Sequence, residues 1–411
     1  MYSNNSTKKT ILQCAINTSI LFCIFCIFLS CSKKDDEKNN GNSTYNSCVE
    51  TDTNFTPTIT VTPDEEDSLK TAVENASSGD IILVKDGTYT VRYLSPVSGI
   101  TIISENGPLK TKIYSEYGRA LSIVNKENIT VKGFEIYSKQ TNDPATDGLV
   151  YIDGSSNITI KNSIIHDGPR DADVVKIRGS QDVLLENCII YNPSERKKAP
   201  GKFQENIDIR GQGDERITIR GCWLFHVGDW GDYLIYAKGG TKNVLWENNV
   251  FGPSAGKGWE NVAVESGHIG NTDNTPYETE YMVIRNNLFV DLKGSAAFGF
   301  AGPNVALLYN NVFYKNTGVK NAIIEIDDNP GSAGGPALNI YSINNIFSEN
   351  ISSDSKKFFR VRDEASGDNL IHDYNVYYSN YSNSDLSISV ELNSVFDEKP
   401  LFTSPSVPVY D

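Results

Sequence analysis

One phrase recurs along the chain and limits what it can fold into more than any other feature. It reads NITVKGFEIY from Asn128, NITIKNSIIH from Asn157, DVLLENCIIY from Asp182, RITIRGCWLF from Arg216 and NVLWENNVFG from Asn243. It returns as YMVIRNNLFV at Tyr281, VALLYNNVFY at Val305 and LNIYSINNIF at Leu338. Each copy alternates apolar and polar residues for about five positions, the period of a half-buried strand, then turns at Asn-Asn, Asn-Cys or Gly-Cys and resumes with large apolar residues. A unit of about 30 residues that cannot bury its own apolar face must stack on its neighbours. No Trp-Asp signature or regular leucine spacing marks a propeller or a leucine-rich repeat. The expected fold is all-β: a single-domain right-handed parallel β-helix. Ser163, Cys188, Cys222 and Asn249 then form one column of small groups at a turn, where Asn tolerates the left-handed region and bonds its amide along the ladder.

A solenoid end needs a cap. DEEDSLKTAVENASSGD supplies a short N-terminal capping helix, with Asp67 or Ser68 at its start and Leu69, Ala72 and Val73 on its apolar face. GDIILVKDGTYT reads as the first strand and turn, and PLFTSPSVPVYD as a truncated or frayed end.

The first thirty residues have a different character. Lys8 and Lys9 precede ILFCIFCIFLS, the layout of a secretory signal. Leu29-Ser30-Cys31-Ser32 resembles a bacterial lipobox, with Phe28 where leucine is usual. The resemblance implies lipidation of Cys31, which makes 1–31 a lipoprotein signal peptide. Residues 32–57 read as a flexible polar tether and 58–411 as the β-helix catalytic domain. Lys-Lys-Asp-Asp-Glu in the tether resembles the export tag of surface lipoproteins in Bacteroidetes-type bacteria. The expected location is the outer membrane and cell surface of a Gram-negative bacterium, with membrane contact only through the lipid. Four of the seven cysteines fall in the signal, so Cys48, Cys188 and Cys222 form no disulfide framework or metal-ligand spacing.

The net charge of −15 argues against nucleic acid as a partner, while a local basic groove still allows an acidic polysaccharide. Aligning the stretches between phrases, DVVKIRG (173–179), NIDIRG (206–211), YLIYAKG (233–239) and NVAVESG (261–267), with Ile177, Ile209, Ala237 and Val264 inward, stacks Arg178, Arg210, Lys238 and Glu265 in one outward column. Lys176, Asp208 and Tyr236 lie beside it. Like charges at strand spacing repel, so the column is either a ladder neutralised by acidic neighbours or a groove for carboxylates. Lys257 and SERKKAPGK (194–202) add positive charge; Asp167, Asp171, Asp173, Asp229 and Asp232 make the groove mixed.

The chemistry that wants this set is β-elimination in a 4-linked uronan. It needs a base for the C5 proton, a cation on the sugar carboxylate and an acid for the leaving oxygen. Lys238 is the candidate base, since a lysine takes a proton only when neutral and nearby cations favour that form. Arg210 or Arg178 is the cation. Tyr236 is the candidate acid, with Tyr191, Tyr233 and His268 as other candidates. Lys176, Glu265, Tyr191 and His268 are the further candidate substrate contacts.

SLKTAVENASSGDIILVKDGTYT, KIRGSQDVLLENCII and GDYLIYAKGGTKNVLWENNVF resemble polysaccharide lyases of family 6, the chondroitinase B and alginate lyase group, over roughly residues 65 to 320. The resemblance implies a parallel β-helix and a catalytic lysine at Lys238. That family holds calcium on an acidic pair ahead of its lysine. Here only Asp232 is near the expected place, Leu234 takes the second, and residues 265–267 lack the family arginine. Lys238 with Tyr236 or Tyr191 is more similar to the alginate lyases of family 31, which pair a lysine base with a tyrosine acid. The expectation is therefore a lyase on alginate or a similar uronan, with no cofactor required and calcium doubtful. The alternatives are a β-helix glycoside hydrolase using Asp208, Asp229 and Asp232, and a non-catalytic glycan binder.

Overall fold

The computed structural model describes residues 55–64, 67–139, 147–193, 204–227, 233–254, 263–267, 275–318, 322–327, 337–352, 358–361, 370–378 and 391–400. Cys31, Asp229, Asp232, Lys257, residues 194–202, His268 and residues 401–411 lie outside them.

Each phrase folds as two strands with a corner between them. In the copy from Asp182 these are Gln181–Glu186 and Ile189–Tyr191, and the stretch that follows supplies a third strand, Glu205–Arg210. Coil on coil, the first strands form sheet A and the second form sheet B, with twelve strands each among the described residues, and the third form sheet C, with nine. Neighbouring strands within each sheet run parallel and in register, as a solenoid of right-handed crossovers requires. A three-stranded sheet, Lys293–Gly294, Thr317–Gly318 and Ile351–Ser352, flanks the later coils.

The phrase is a backbone rule as much as a hydrophobic one. Its opening residue, or the second in the copy from Leu338, is left-handed in coil after coil: Asn128, Asn157, Asp182, Arg216, Asn243, Tyr281, Val305 and Asn339 all have φ between 53° and 62°. The corner repeats the demand at Asn162, Asn187, Gly221, Asn248, Asn286, Asn310 and Asn344. Asn and Gly meet it at least cost; Tyr281 and Val305 meet it against their own preference.

The residue after each corner points inward and builds the expected column. Ser163 Oγ accepts the amides of Gly133 and Phe134, and the Cys188 and Cys222 thiols, both free and buried, bond to carbonyls of neighbouring turns. From Asn249 the column becomes an amide ladder through Asn287, Asn311, Asn345 and Asn375, each Oδ1 taking the backbone N–H of the ladder residue one coil earlier. Corner backbone groups that water cannot reach are thereby satisfied.

Inside sheet B one register runs Ile113, Ile136, Ile165, Ile190, Leu224, Phe251, Phe289, Phe313, Phe347, Tyr377 and Phe396. The core therefore changes from aliphatic to aromatic along the axis, with Phe289 and Phe313 stacked at 4.4 Å. Outside sheet B the last residues of successive phrases stack: Tyr137, His166, Tyr191 and Phe225, with centroids 4.7 to 5.3 Å apart.

The helix spans Ser68–Asn75 and buries Leu69 and Val73, while Ala72 stays half-buried. Its capping differs from the expectation. Asp67 is left-handed and makes no side-chain cap bond, and the Ser68 hydroxyl donates to the Thr62 carbonyl instead. The first strand is also earlier than expected: Ile59–Val61 pairs with Ile81–Val84 and adds a short strand ahead of GDIILV.

Candidate functional site

Four consecutive strands of sheet C carry the candidate residues: Asp173–Arg178, Glu205–Arg210, Tyr233–Lys238 and Val264–Gly267. Across the sheet, one outward register runs Tyr151, Lys176, Asp208, Tyr236, Glu265, Gly299, Glu325 and Arg360. A second, two residues along, pairs Asp153 with Arg178 and Arg210 with Lys238. The arginine and lysine column is therefore present, but Glu265 is not in it. Glu265 stands opposite Tyr236, because Val264 pairs with Ile235 and Ser266 with Ala237. The slip is two residues, which keeps every side chain on its face and so leaves the alternating pattern unchanged.

Lys238 closes its strand before Gly239 and Gly240, both at positive φ. A side chain at Gly240 would put its Cβ 2.9 Å from the Thr275 Cγ2, so the turn needs glycine on two counts. The Lys238 carbonyl accepts from the Thr241 hydroxyl at 2.7 Å, which fixes where the strand stops. Although it faces outward from the sheet, Lys238 is only 6% exposed and Tyr236 4%. The Lys238 Nζ donates to the Tyr236 Oη at 2.6 Å and lies 3.9 Å from its ring centre. Tyr233 packs edge-on against Tyr236 at 5.2 Å. Burial, then the charges of Asp208, Glu205 and Asp173, push the Tyr236 hydroxyl well above its ordinary range, so it stays protonated.

Next to this pair is a cluster the sequence reading did not assemble. One carboxylate oxygen each from Asp173, Glu205 and Asp208 lies within 4.8 Å of the others, all three residues buried. Asp173 and Glu205 sit at the opening position of successive strands, and the Glu205 amide donates to Asp173 Oδ1 at 3.0 Å. Lys176 Nζ lies 2.8 Å from Asp208 Oδ2 and 3.1 Å from Asp173 Oδ2. Burial opposes the charged form of Asp208, yet Lys176 and Lys238 hold its carboxyl below the usual range. Glu205 goes the other way: burial and the charges of Asp173 and Asp208 raise it well above that range. Three carboxyls thus crowd one buried place beside the Lys176 ammonium.

Could the trio hold calcium? The ion takes six to eight oxygens at about 2.3–2.6 Å. Glu205 Oε1 and Asp208 Oδ1 find no hydrogen-bond partner among the described residues, but the Lys176 ammonium already sits on Oδ2 of both Asp173 and Asp208. As folded, the trio does not fit a divalent ion.

The remaining candidates are placed elsewhere or differently. Arg178 is exposed at the rim and Arg210, half-buried, stands in register beside Lys238. Tyr191 belongs to the ring stack outside sheet B, between His166 and Phe225, and not to the sheet that carries Lys238. Asp167 lies beside that stack, 3.1 Å from His166 Nδ1.

The family model for the right-handed β-helix region matches residues 95–258 and 147–324, together more than half of the chain. No curated protein matches the sequence. The catalytic unit of the thermostable GH87 α-1,3-glucanase from Streptomyces thermodiastaticus strain HF3-3 superposes with a TM-score of 0.55 at 14% identity, over 79% of this chain and 60% of that one. The polygalacturonase from Erwinia carotovora ssp. carotovora gives 0.50 at 13% identity, over 84% of this chain and 96% of the other. An alginate lyase from Paenibacillus sp. str. FPU-7 gives 0.43 at 18% identity, over 77% and 99%. Likeness at these identities is a likeness of fold. With the stacked parallel coils of sheets A, B and C, the matched region makes this chain a member of the right-handed parallel β-helix family.

Proposed function

We propose that the protein is a polysaccharide lyase that cleaves an acidic uronan, alginate foremost, by β-elimination without a metal. The observation that carries the proposal is the buried Lys238–Tyr236 pair, bonded at 2.6 Å in a row with Arg210. In its neutral form Lys238 accepts the C5 proton, and the electrons of that C–H bond form the C4–C5 double bond as the glycosidic C4–O bond breaks. Tyr236 gives its proton to the leaving oxygen, and the new Lys238 N–H returns a proton to Tyr236 along the existing hydrogen bond. Arg210, one strand away, offsets the carboxylate charge that spreads as the C5 proton leaves. A buried site strengthens each of these interactions. Under the same reading, the chain is a surface lipoprotein anchored through Cys31, with no further membrane contact.

A second reading rests on the carboxyl cluster. Glu205, raised above the usual carboxylate range beside Asp208, which is held below it, offers the acid and base character a glycoside hydrolase needs, and the glucanase and the polygalacturonase share the fold. The products separate the two. A lyase leaves an unsaturated sugar that absorbs in the ultraviolet, and a hydrolase adds water and leaves none. Mass spectrometry of alginate oligomers digested with the protein and with Lys238→Ala tests the proposal. Fragments eighteen mass units lighter than hydrolysis products support it, and fragments carrying added water overturn it.

A further inference from the structure

We infer that the ammonium of Lys176 fills the place a divalent cation would take among Asp173, Glu205 and Asp208, and that removing this one side chain creates a calcium-type site. Three buried carboxyls within 4.8 Å of one another make an oxygen-lined cage that demands positive charge. Lys176 delivers it from the neighbouring strand, in register with Asp208 and within 3.1 Å of two of the three groups. The oxygens it leaves over, Glu205 Oε1 and Asp208 Oδ1, have no partner among the described residues. Both belong to residues of the cage and are left for a further ligand.

Truncating Lys176 removes the cation that the described residues place on Asp173. The three carboxyls must then either take up more protons or recruit an ion. Hard, oxygen-seeking cations of calcium size fit such a donor set better than zinc or copper, because no nitrogen or sulfur is among the donors. Lys176 is thus a positioning residue: it holds Asp208 one strand from Tyr236 without touching the reacting atoms. This inference holds whether the site eliminates or hydrolyses, so its failure and the failure of the lyase reading are separate results.

The test compares the wild-type protein, Lys176→Ala and Lys176→Arg, all stripped with EDTA and titrated with calcium chloride and with terbium chloride. Tyr236 stands next to Asp208 in the register, so a terbium ion in the cage is excited through its ring. Lys176→Ala is expected to take up one ion, with sensitised emission and a melting temperature raised by roughly 5 °C at saturating calcium. Wild type and Lys176→Arg are expected to show neither, and Asp173→Asn added to Lys176→Ala to abolish both. Calcium-dependent folding of Lys176→Ala also supports the inference. A wild-type protein that binds the ion as well as the variant overturns it. So does a folded Lys176→Ala that binds none, or a Lys176→Ala and a Lys176→Met that stay unfolded with and without calcium.

Discussion

Replacing Asp214 by asparagine should make the protein more stable at pH 8 and leave it unchanged near pH 4. Asp214 follows the Glu205–Arg210 strand, is 1% exposed, and accepts the Ser180 amide on Oδ1 at 2.7 Å. Its other oxygen finds no partner among the described residues. Burial first, with the charges of Asp208 and Asp153, pushes its carboxyl up to about 7, against the pull of the Ser180 amide and Arg178. The folded protein therefore keeps a proton that the unfolded chain, titrating near 3.8, gives up. A raised folded value is a stability contribution present in full below the unfolded value and lost as pH rises through the folded one. The loss accumulates from pH 4 to pH 7 over about three units at about 1.4 kcal/mol each, so roughly 4 kcal/mol at most. Asparagine keeps the acceptor for Ser180, puts a donor where Oδ2 lacks a partner, and does not titrate. Thermal melts of both proteins from pH 4 to pH 9 check this. A difference between them that does not change with pH would refute the assignment of Asp214 as a buried, proton-bearing carboxyl.

Other outcomes follow from neighbouring features. Tyr236→Phe and Lys238→Ala should each lower kcat on the preferred uronan by about 10²–10⁴-fold, and the double variant should lose no more than the worse single one, since the two groups pass one proton. His166, 3.1 Å from both Glu135 and Asp167, is pulled above the usual histidine range by these carboxylates although burial opposes it. Its contribution is complete below about pH 6.5 and fades as pH rises through its folded value, so melts between pH 6 and pH 9 should flatten in His166→Phe, which keeps a ring between Tyr137 and Tyr191. Val305, β-branched at φ 62°, occupies a position that five other coils give to Asn or Asp; Val305→Asn should stabilise by about 1 kcal/mol in a thermal melt, and a loss of stability would count against the backbone rule.

The solenoid was legible because one backbone requirement, a left-handed residue at the start of a strand and another at its corner, selects Asn so often that it surfaces as a repeat. Arg216, Tyr281 and Val305 show its limit: the position persists where the residue does not. The site was legible in part for the same reason. Alternation identified the outward faces and put Arg210 beside Lys238, but a two-residue slip leaves alternation intact, and Ser266, buried and bonded to the Thr279 hydroxyl at 3.0 Å, reads as polar in sequence although it occupies the inward register of Ala237. The apolar pattern therefore favours Val264 at that register and carries Glu265 out of line. Glu205 was missed because its strand begins one residue earlier than NIDIRG suggested. The signal was present all the same: Asp173 and Glu205 are acids at the same opening position of successive coils. The earliest strand, Ile59–Val61, is three residues long, too short for a period to register. The ring stack could have been found from the last residue of each phrase, Tyr137, His166, Tyr191 and Phe225.

The most direct test of the central claim is ultraviolet absorbance of the unsaturated product, followed with the mature protein on alginate, poly-mannuronate, poly-guluronate, pectate and chondroitin sulfate. Each polymer is run with and without EDTA, beside Lys238→Ala. Absorbance that rises on a uronan, persists in EDTA and disappears in Lys238→Ala is the predicted result. Absorbance that stays flat on every polymer while reducing ends accumulate, or while the protein only binds a uronan column, would contradict it and transfer the buried charges of sheet C to a hydrolase or a glycan binder.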